Sequence, residues 1–471
     1  MNKSYVLFLM VILFSTLAGA GEITRMEGHF PQAAGEEIRL MAREDLLSYK
    51  AKEIDARVVD QDGHFYMEIA LKETQLVFFR YRHGSRYLYL EPGKSYSLHF
   101  EISRPDDPES HYRSLHPRHQ GLEMQMVAPD NDEELNQLVL RFDNTIAGYL
   151  ETHVMNRPRA SHRSSFRQLS LLADSLFGAY DKPFFQDYKR YYLAYLETAL
   201  NARSARAIIE EHILKNPILY RNPMYMDLFS SVFDDYVFTG SRAITRRDLN
   251  DAVNRQASYH ALMDTLGKDT LLMNDRIREL VMLVSLQEML GISEYDNGRV
   301  RKVLQEAASE GKFAVHRMMA SNILYQNTKI KAGFPAPKLV IHDDSGEVLF
   351  DLGEEKGKYV YLFFWAGWCP VSMSEVPPMA DIASDFEEDI SVVGIMVDED
   401  RDVSFAAAGA GEHGMPFRLY HYDGDYRMLD RYRVRSIPQY MLIDPEGKVY
   451  DYPFPAPSAG ISDRLRRIIR R

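Results

Sequence analysis

Cysteine is nearly absent from this chain, whose 471 residues contain a single one, Cys369. Proteins of oxidising compartments are often stabilised by disulfide bonds, and one sulfur cannot form such a bond within the chain. Packing must therefore supply the stability, and the composition suits this, with 45% hydrophobic and 12% aromatic residues. On a prior of about 150 residues per domain, the length predicts about three domains.

The sequence also lacks the motifs of several common sites. The fifteen histidines occur without a His-Glu-x-x-His motif or paired cysteines, so no metal site is predicted. The acidic clusters at 130–132 and 423–425 lack the spacing of a calcium-binding loop. Neither a glycine-rich phosphate loop nor a serine-hydrolase motif is present, and no cofactor is predicted. The formal net charge of −12 argues against nucleic-acid binding, which requires basic surface.

Long apolar runs are absent after the first twenty residues. Lys3 precedes an apolar run over residues 5–17, and small residues at 18–20 follow it. This pattern predicts a cleavable signal peptide at residues 1–20, because the run is too short to span a membrane and no second one follows. Cleavage is predicted before Gly21, where no cysteine is available for lipid attachment. The mature protein is expected to be periplasmic, without a membrane span and not a lipoprotein.

The periodicity of the sequence predicts a multidomain protein with three folded regions. Short alternating strands over 21–103 predict an all-β, sandwich-like domain. The residues at 104–132 are rich in Pro, His and Asp and are predicted to be a linker. Helical periodicity predicts an all-α domain over 133–330. Alternating β and α segments predict an α/β domain over 331–471.

An aromatic stripe in the helical region has two interpretations. Phe184, Tyr188, Tyr191 and Tyr195 recur at helical spacing and therefore share one face of a helix. The stripe indicates either a ligand groove or a core face between packed helices. Apolar residues at helical spacing are what a buried face requires, so the core interpretation is favoured.

The single cysteine lies where a predicted buried strand, residues 359–365, meets a predicted helix. Pro370 suits the first helical position, where its missing N–H is not needed, and this places Cys369 at the N-cap. A helix N-terminus lowers the pKa of a thiol through its free N–H groups and positive dipole end. The only two tryptophans, Trp365 and Trp368, flank the sulfur. An exposed nucleophilic thiolate is predicted, the alternative being a small buried apolar cysteine.

Four motifs in the last 140 or so residues resemble the TlpA/ResA-like (redoxin) group of the thioredoxin superfamily, which are exported thiol-disulfide oxidoreductases. The motifs are FWAGWCP at 364–370, EVP at 375–377, YRVRSIP at 432–438 and LIDPEG at 442–447. The resemblance implies a thioredoxin-like fold for residues 331–471. The regions before residue 331 resemble, more weakly, the N-terminal extensions often attached to such domains.

The same resemblance assigns roles to individual residues. It implies that Ile437 and Pro438 form a cis-proline loop beside the thiol, where the backbone pairs with an extended substrate segment. It also implies that Glu375 lies near the sulfur and tunes its acidity. Together with Trp365, Trp368 and Pro370, these residues form the predicted substrate-binding and catalytic surroundings of Cys369.

Ser372 departs from the family, because the second active-site cysteine belongs at this position. A hydroxyl cannot form a disulfide, so the dithiol cycle is unavailable within this chain. Attack of the Cys369 thiolate on a substrate disulfide remains feasible, with release by an outside thiol, and Ser372 can donate a hydrogen bond to the thiolate. The expected partners are therefore exported protein thiols or disulfides and an external reducing thiol.

Two functions fit these features. The first is a monothiol thiol-disulfide oxidoreductase acting through a mixed disulfide at Cys369. The second is a catalytically degenerate thioredoxin-fold module for binding or assembly in the cell envelope, since a fold does not establish an activity. A peroxiredoxin is disfavoured because Ala366 occupies the position where that class has threonine. No feature of the sequence predicts an oligomeric state.

Overall fold

The computed structural model describes residues 21–82, 84–103, 121–127, 133–154, 162–328, 330–342, 345–367, 369–397, 417–422, 425–434 and 436–470. The predicted signal peptide, Trp368 and most of the predicted linker lie outside these ranges. Within them, no helix combines the length and the apolar character needed to cross a membrane.

The first eight strands form two four-stranded sheets that share one core. The strands are β1 (Glu22–His29), β2 (Glu37–Arg43), β3 (Ala51–Val58), β4 (His64–Leu71), β5 (Gln75–Tyr81), β6 (Gly84–Leu90), β7 (Ser95–Ser103) and β8 (Gly121–Met126). Their orders are β4-β1-β7-β8 and β3-β2-β5-β6. Buried side chains from both sheets belong to a single hydrophobic cluster, which confirms the predicted sandwich.

Two of these strands were not predicted from the sequence. The inward positions of β1 are Thr24, Met26 and Gly28, which give too weak an apolar alternation to signal a strand. β8 lies inside the predicted linker at 104–132, so that prediction is wrong for its last part. β8 pairs antiparallel with β7 and places Leu122 in the core. A strand of six residues is specified mainly by the neighbour with which it pairs.

Ten helices follow in the described part of the helical region. They are α1 (Leu135–His153), α2 (His162–Phe177), α3 (Pro183–Ala199), α4 (Ala205–Ile208), α5 (Pro223–Phe233), α6 (Arg246–Asn250), α7 (Tyr259–Leu266), α8 (Asp275–Met289), α9 (Asn297–Glu310) and α10 (Ala314–Thr328). Polar residues such as Asn222 and Asn274 cap helices α5 and α8 through their side chains. The presence of these helices confirms the predicted helical region.

Two residues of the aromatic stripe on α3, Tyr188 and Tyr191, are part of the core, whereas Tyr195 is exposed. Tyr188 packs with Phe142 of α1, and Tyr191 packs edge to face on Tyr225 of α5. Tyr188 and Tyr191 are 4% and 1% exposed, so these two stripe residues fill space between helices. The favoured interpretation of the stripe is confirmed at these two positions.

The C-terminal region forms a five-stranded mixed sheet flanked by helices. Its elements are β9 (Val340–His342), β10 (Val348–Asp351), β11 (Tyr359–Trp365), α11 (Pro370–Asp385), β12 (Ile390–Met396), β13 (Arg418–His421), α12 (Tyr426–Arg431), β14 (Gln439–Ile443), β15 (Val449–Asp451) and α13 (Ser462–Ile469). The sheet order is β13-β12-β11-β14-β15, with β11 parallel to β12 and antiparallel to β14. Separate hydrophobic clusters cover its two faces, which explains why β11 is a continuous apolar run.

The three regions contact one another near the loop that follows α12. Asp430 of α12 forms an ion pair with Arg80 of β5, with 2.7 Å between Asp430 Oδ2 and Arg80 Nη1. The Nη2 atom of Arg39 lies 3.7 Å from the same carboxylate oxygen. Arg433 donates a 2.7 Å hydrogen bond to the carbonyl of Gln326 in α10. Asp430 and Arg433, which precede Pro438 in the chain, therefore contact the β-sandwich and the helical region respectively. The domain boundaries themselves stay a prediction.

Candidate thiol site

Cys369 is the N-cap residue of α11, with Pro370 at the first helical position as predicted. Its backbone is extended (φ −91°, ψ 112°), and its carbonyl accepts the first helical hydrogen bond, from Met373 N at 2.9 Å. The amide of Cys369 donates to the carbonyl of Ala366 at 3.1 Å, which closes a tight turn after β11. Cys369 therefore lies at the start of α11, beside the backbone N–H groups of the first helical turn that have no partner within the helix.

The sulfur is less accessible than the sequence predicts. Cys369 is 7% exposed and packs in the same hydrophobic cluster as Phe364 of β11 and Tyr422. The prediction of an exposed sulfur is therefore wrong for this conformation. The physical reason is the turn, which folds the residue back over the apolar end of the sheet instead of pointing it into solvent.

Of the two flanking tryptophans, Trp365 is the one that the structure describes, and its side chain is buried. Trp365 is 1% exposed and lies in the cluster on the opposite face of the sheet from Cys369, so its predicted place in a substrate surface is wrong. The cause is its position at the end of β11, where side chains alternate between the two faces. Trp368 lies outside the described residues. Pro370, in contrast, is exposed beside the sulfur.

Ser372 is buried one helical turn after Cys369. It is 2% exposed, and its Oγ accepts a 3.5 Å hydrogen bond from the backbone N–H of Ala366. Ser372 therefore supports the turn that carries the sulfur. The hydrogen bond to the Cys369 thiolate that the sequence suggested stays a prediction.

Glu375 is a buried carboxylate on the same helix. It is 8% exposed and accepts a 3.0 Å hydrogen bond from the backbone N–H of Ser458 and a second, very short one from the Ser458 hydroxyl. These bonds tie α11 to the turn that precedes α13. The role of Glu375 in tuning the sulfur stays a prediction.

Tyr440 is a neighbour of the site that sequence reasoning missed. Its ring packs on Tyr361 and Phe363 of β11, and its hydroxyl is buried without a hydrogen-bond partner among the described residues. Burial, followed by the negative charges of Glu375 and Cys369, raises the pKa of Tyr440. The hydroxyl therefore stays protonated and interacts with both groups. The signal available in the sequence was a tyrosine at the second position after Pro438.

Ile437 and Pro438 lie at the same end of the sheet as the cysteine. The Ile437–Pro438 peptide bond is cis. Gln439, the first residue of β14, pairs with Phe364 near the end of β11, so the loop before it is adjacent to the turn that carries Cys369. Ile437 packs against the hydrophobic cluster that contains Cys369. The structure thus brings Cys369, Ile437 and Pro438 together.

Comparisons with known proteins agree on the C-terminal region. The Redoxin family model matches residues 331–459. Thiol-disulfide oxidoreductase ResA from Bacillus subtilis (strain 168) is 34% identical over 121 residues, which are 26% of this chain and 65% of that protein. ResA from Bacillus anthracis is 30% identical over 124 residues, which are 26% of this chain and 69% of that protein. The chain thus spans just under two thirds of the first relative and slightly more of the second.

Solved structures match a similar part of the chain. A thiol:disulfide interchange protein from Bacteroides sp. is 22% identical, covers 30% of this chain and 93% of that chain, and has a TM-score of 0.27. The thioredoxin domain of a thiol-disulfide oxidoreductase from Bacteroides vulgatus is 22% identical, covers 30% and 99% of the two chains, and has a TM-score of 0.26. By its C-terminal sheet, its cysteine motif and its ResA relatives, this chain belongs to the redoxin (TlpA/ResA-like) family of the thioredoxin superfamily.

Proposed function

We propose that this protein is a thiol-disulfide oxidoreductase of the monothiol type, in which Cys369 forms a mixed disulfide with a substrate protein. The observation that carries the proposal is the position of the single sulfur, at the N-cap of α11 and beside the loop of Ile437 and Pro438. The relatives that share this region are named thiol-disulfide oxidoreductases, which supports the same reaction class.

The first step is attack of the Cys369 thiolate on one sulfur of a substrate disulfide. The substrate S–S bond breaks, a new S–S bond joins Cys369 to the attacked sulfur, and the other substrate sulfur leaves as a thiolate. The attacking species is the thiolate form of Cys369, because the thiolate and not the thiol is the nucleophile. The proposed role of Glu375, whose charge acts on Tyr440 as that of Cys369 does, is to tune the acidity of the thiol.

The second step needs a thiol from outside this chain, because Ser372 cannot form a disulfide. If an external reducing thiol attacks the substrate sulfur of the mixed disulfide, Cys369 leaves as a thiolate and the external sulfur becomes bonded to the substrate. A second external thiol then breaks that bond, which releases the substrate with both sulfurs reduced and leaves a disulfide between the two external sulfurs. If the second thiol of the substrate attacks, the substrate is released with a rearranged disulfide and no net oxidation. The proposed partners are therefore exported proteins with thiols or disulfides and an external reducing thiol.

The proposed location is the periplasm, reached through a cleaved signal peptide. This rests on the basic start, the short apolar run and the small residues at 18–20 of the sequence. An oxidising compartment supplies the disulfide substrates that the reaction requires.

The test is covalent capture of partners in the exported compartment. The native protein is compared with Cys369→Ala after rapid acid quenching and blocking of free thiols. We expect adducts that a reductant releases and that the alanine variant lacks. The absence of thiol-reversible adducts, together with no isomerisation or reduction of a scrambled disulfide substrate, would overturn the proposal.

The burial of the sulfur favours a second candidate, a thioredoxin-fold module that binds partners without turnover. A thiol that is 7% exposed reacts only when the turn at 366–370 opens or a docked partner reshapes it. The variant Ser372→Cys separates the two candidates, because it restores the missing half of a dithiol site. Reduction of insulin disulfides by the folded variant supports the enzyme, whereas an inactive folded variant supports the binding module.

A further inference from the structure

The β-sandwich and the helical region share apolar packing, and the thioredoxin-like region does not join it. Leu46 and Leu47, in the connection between β2 and β3, lie in the main hydrophobic cluster of the helical region. Tyr89 of β6 lies in the cluster formed by α1, α2 and α3. The two clusters of the thioredoxin-like region contain no described residue before Ile330. The first two regions therefore form one unit, called here the N-terminal body, and the third has a core of its own.

Charged side chains of α12 and of the turn after it join the thioredoxin-like region to this body. Arg427 lies 2.9 Å from Glu37 and 3.2 Å from Glu53, at the edge of the sandwich. Asp430 and Arg433 make the contacts described for the fold. Arg427, Asp430 and Arg433 are called here the docking residues. Polar contacts of this kind between domains commonly permit relative motion, which a large apolar interface would prevent.

The sandwich has two arginines directly opposite each other where Asp430 docks. Arg39 of β2 and Arg80 of β5 are paired in register, and the residues on either side of each point into the core. Both arginines therefore lie on the outer face of the sheet, where like charges at opposite positions are destabilising. Burial lowers the pKa of Arg39, the charge of Asp430 acts to raise it, and the charge of Arg80 lowers it further. Asp430 thus offsets a repulsion that the strand register creates.

Arg433 occupies a backbone position that favours glycine. Its φ is +50°. The N–H of Val434 donates to the carbonyl of Leu429 at 2.9 Å, and the N–H of Arg433 donates to the carbonyl of Asp430 at 3.2 Å. These bonds form a Schellman motif, in which the residue with positive φ is usually glycine because a Cβ atom is strained there. A residue that its own turn disfavours points to a use of its side chain elsewhere.

That use is at the C-terminus of α10. The guanidinium of Arg433 donates to the carbonyl of Gln326 at 2.7 Å and lies 3.2 Å from the Oε1 atom of the same residue. α10 ends at Thr328, so this carbonyl is one of the last four of the helix, which have no partner within it. The end of a helix also carries partial negative charge. A cation of the thioredoxin-like region therefore caps the helix that leads into that region.

We propose that Arg427, Asp430 and Arg433 form a releasable ionic latch, through which the thioredoxin-like region docks on the N-terminal body. In the released arrangement, the connection between α10 and β9 still tethers the region, and Cys369 can face partners in more orientations than in the docked one. Each unit stays folded on release, because the apolar clusters of the two units are separate. Salt favours release, since it screens partly exposed charges over a distance of about 3 Å at 1 M and about 10 Å at 0.1 M.

The experiment is small-angle X-ray scattering of the full mature chain in about 0.1 M and about 1 M sodium chloride. We expect the radius of gyration of the native chain to rise at the higher salt. Asp430→Arg places a third guanidinium beside Arg39 and Arg80, so its radius should already be raised at the lower salt. The double variant Arg80→Asp with Asp430→Arg restores a pair of opposite charges and should return the radius to the native value.

Arg433→Gly separates docking from folding. Glycine suits the positive φ of this position, so the variant should resist denaturant at least as well as the native chain and yet have a larger radius at the lower salt. The matched control is Asp463→Arg, which makes the same charge change at an exposed carboxylate that pairs with Arg466 on its own helix. Its radius should equal that of the native chain.

None of these measurements involves the reaction of Cys369, so they test the latch independently of the proposed redox function. Equal radii for the native chain and folded Asp430→Arg at both salt concentrations would overturn the proposal. A rise of the same size in Asp463→Arg would overturn it as well. A native radius in Arg433→Gly would show that this side chain does not hold the two units together.

Discussion

Two buried carboxylates, Glu279 in the helical region and Glu375 in the thioredoxin-like region, have different surroundings. Glu279 of α8 is 1% exposed and accepts hydrogen bonds from His316 Nδ1 at 2.7 Å, from the Tyr259 hydroxyl at 2.6 Å and from Lys312 N at 2.7 Å. Glu375 is bonded only through Ser458 among the hydrogen bonds described for it. Glu279 thus receives hydrogen bonds from three different residues, whereas the described hydrogen bonds to Glu375 come from one residue.

The polar groups around the two carboxylates also differ in whether they have hydrogen-bond partners. The other ring nitrogen of His316, Nε2, is hydrogen-bonded to the Tyr220 hydroxyl at 2.7 Å. Both ring nitrogens of His316 therefore have a partner. Near Glu375, the Tyr440 hydroxyl and the Trp365 indole N–H are buried without partners among the described residues. Most buried polar groups in proteins are paired, so unpaired ones mark places where strain or a partner is expected. The comparison separates a carboxylate inside a hydrogen-bond network from one whose described hydrogen bonds come from a single residue.

The largest effect is expected from Glu279→Ala. Removing one partner of a buried charged network costs about 3–5 kcal/mol of stability, because the remaining groups lose their acceptor. The measurement is chemical denaturation followed by the helical signal in circular dichroism, with the exposed Glu310→Ala as control. A loss no larger than that of the control would contradict the assignment of a structural network.

The same network predicts a pH dependence. Burial acts to raise the pKa of Glu279, but the hydrogen bonds from His316 and Tyr259 outweigh it, and the pKa lies below its ordinary value. A carboxylate with a depressed folded-state pKa stabilises the protein above its unfolded-state pKa and loses this effect as the pH falls through the folded-state value. The native chain should therefore lose stability below about pH 4.5 more steeply than Glu279→Ala does.

A second carboxylate on α8 should show the opposite pH dependence. Burial raises the pKa of Glu288 to about 7, and one of its oxygens has no partner among the described residues. Because the folded state holds this proton more tightly than the unfolded state, stability falls as the pH rises from about 4.5 through 7. Glu288→Gln should therefore be more stable than the native chain at pH 8 and nearly equal to it at pH 5. Parallel melting temperatures across this range would contradict the prediction.

Two tyrosine-to-phenylalanine substitutions compare the surroundings of Glu279 and Glu375, because each removes a single hydroxyl. Tyr259→Phe removes one of the three donors to the buried Glu279 carboxylate and should cost about 1–3 kcal/mol. Tyr440→Phe removes a hydroxyl that has no hydrogen-bond partner among the described residues, so stability should stay within about 1 kcal/mol or rise. The denaturation midpoints of the two variants give the comparison. Equal losses would mean that the Tyr440 hydroxyl is paired in solution.

The smallest effect is expected from Glu375→Gln on the reactivity of the sulfur. A negative charge near a thiolate disfavours it, so removing the charge should lower the midpoint of the alkylation rate of Cys369 against pH, by less than about one unit. Glutamine keeps an oxygen for the Ser458 N–H, which preserves the turn. Asp381→Asn, an exposed change further along α11, is the control. An unchanged or higher midpoint would remove Glu375 from the site.

Much of the architecture was predictable because local patterns specified it. The apolar run of β11 predicted a strand covered on both faces, and Pro370 predicted the start of α11 with Cys369 at its N-cap. β1 and β8 were missed because their inward residues are too few or too weakly apolar. The residues of the site were predictable where a sequence motif identifies them. The prediction failed for Trp365, because the pleat of the folded sheet decides on which face its side chain lies.

By itself, the sequence determined what the chain can do chemically. One cysteine excludes an internal disulfide, and Ser372 excludes a dithiol cycle, because these limits depend on which atoms are present and not on where they lie. Only the tertiary structure decided that Cys369 is covered and that three distant histidines, His29, His64 and His99, meet on one sheet. Those features depend on strand register and packing between segments far apart in the chain, which no local pattern specifies.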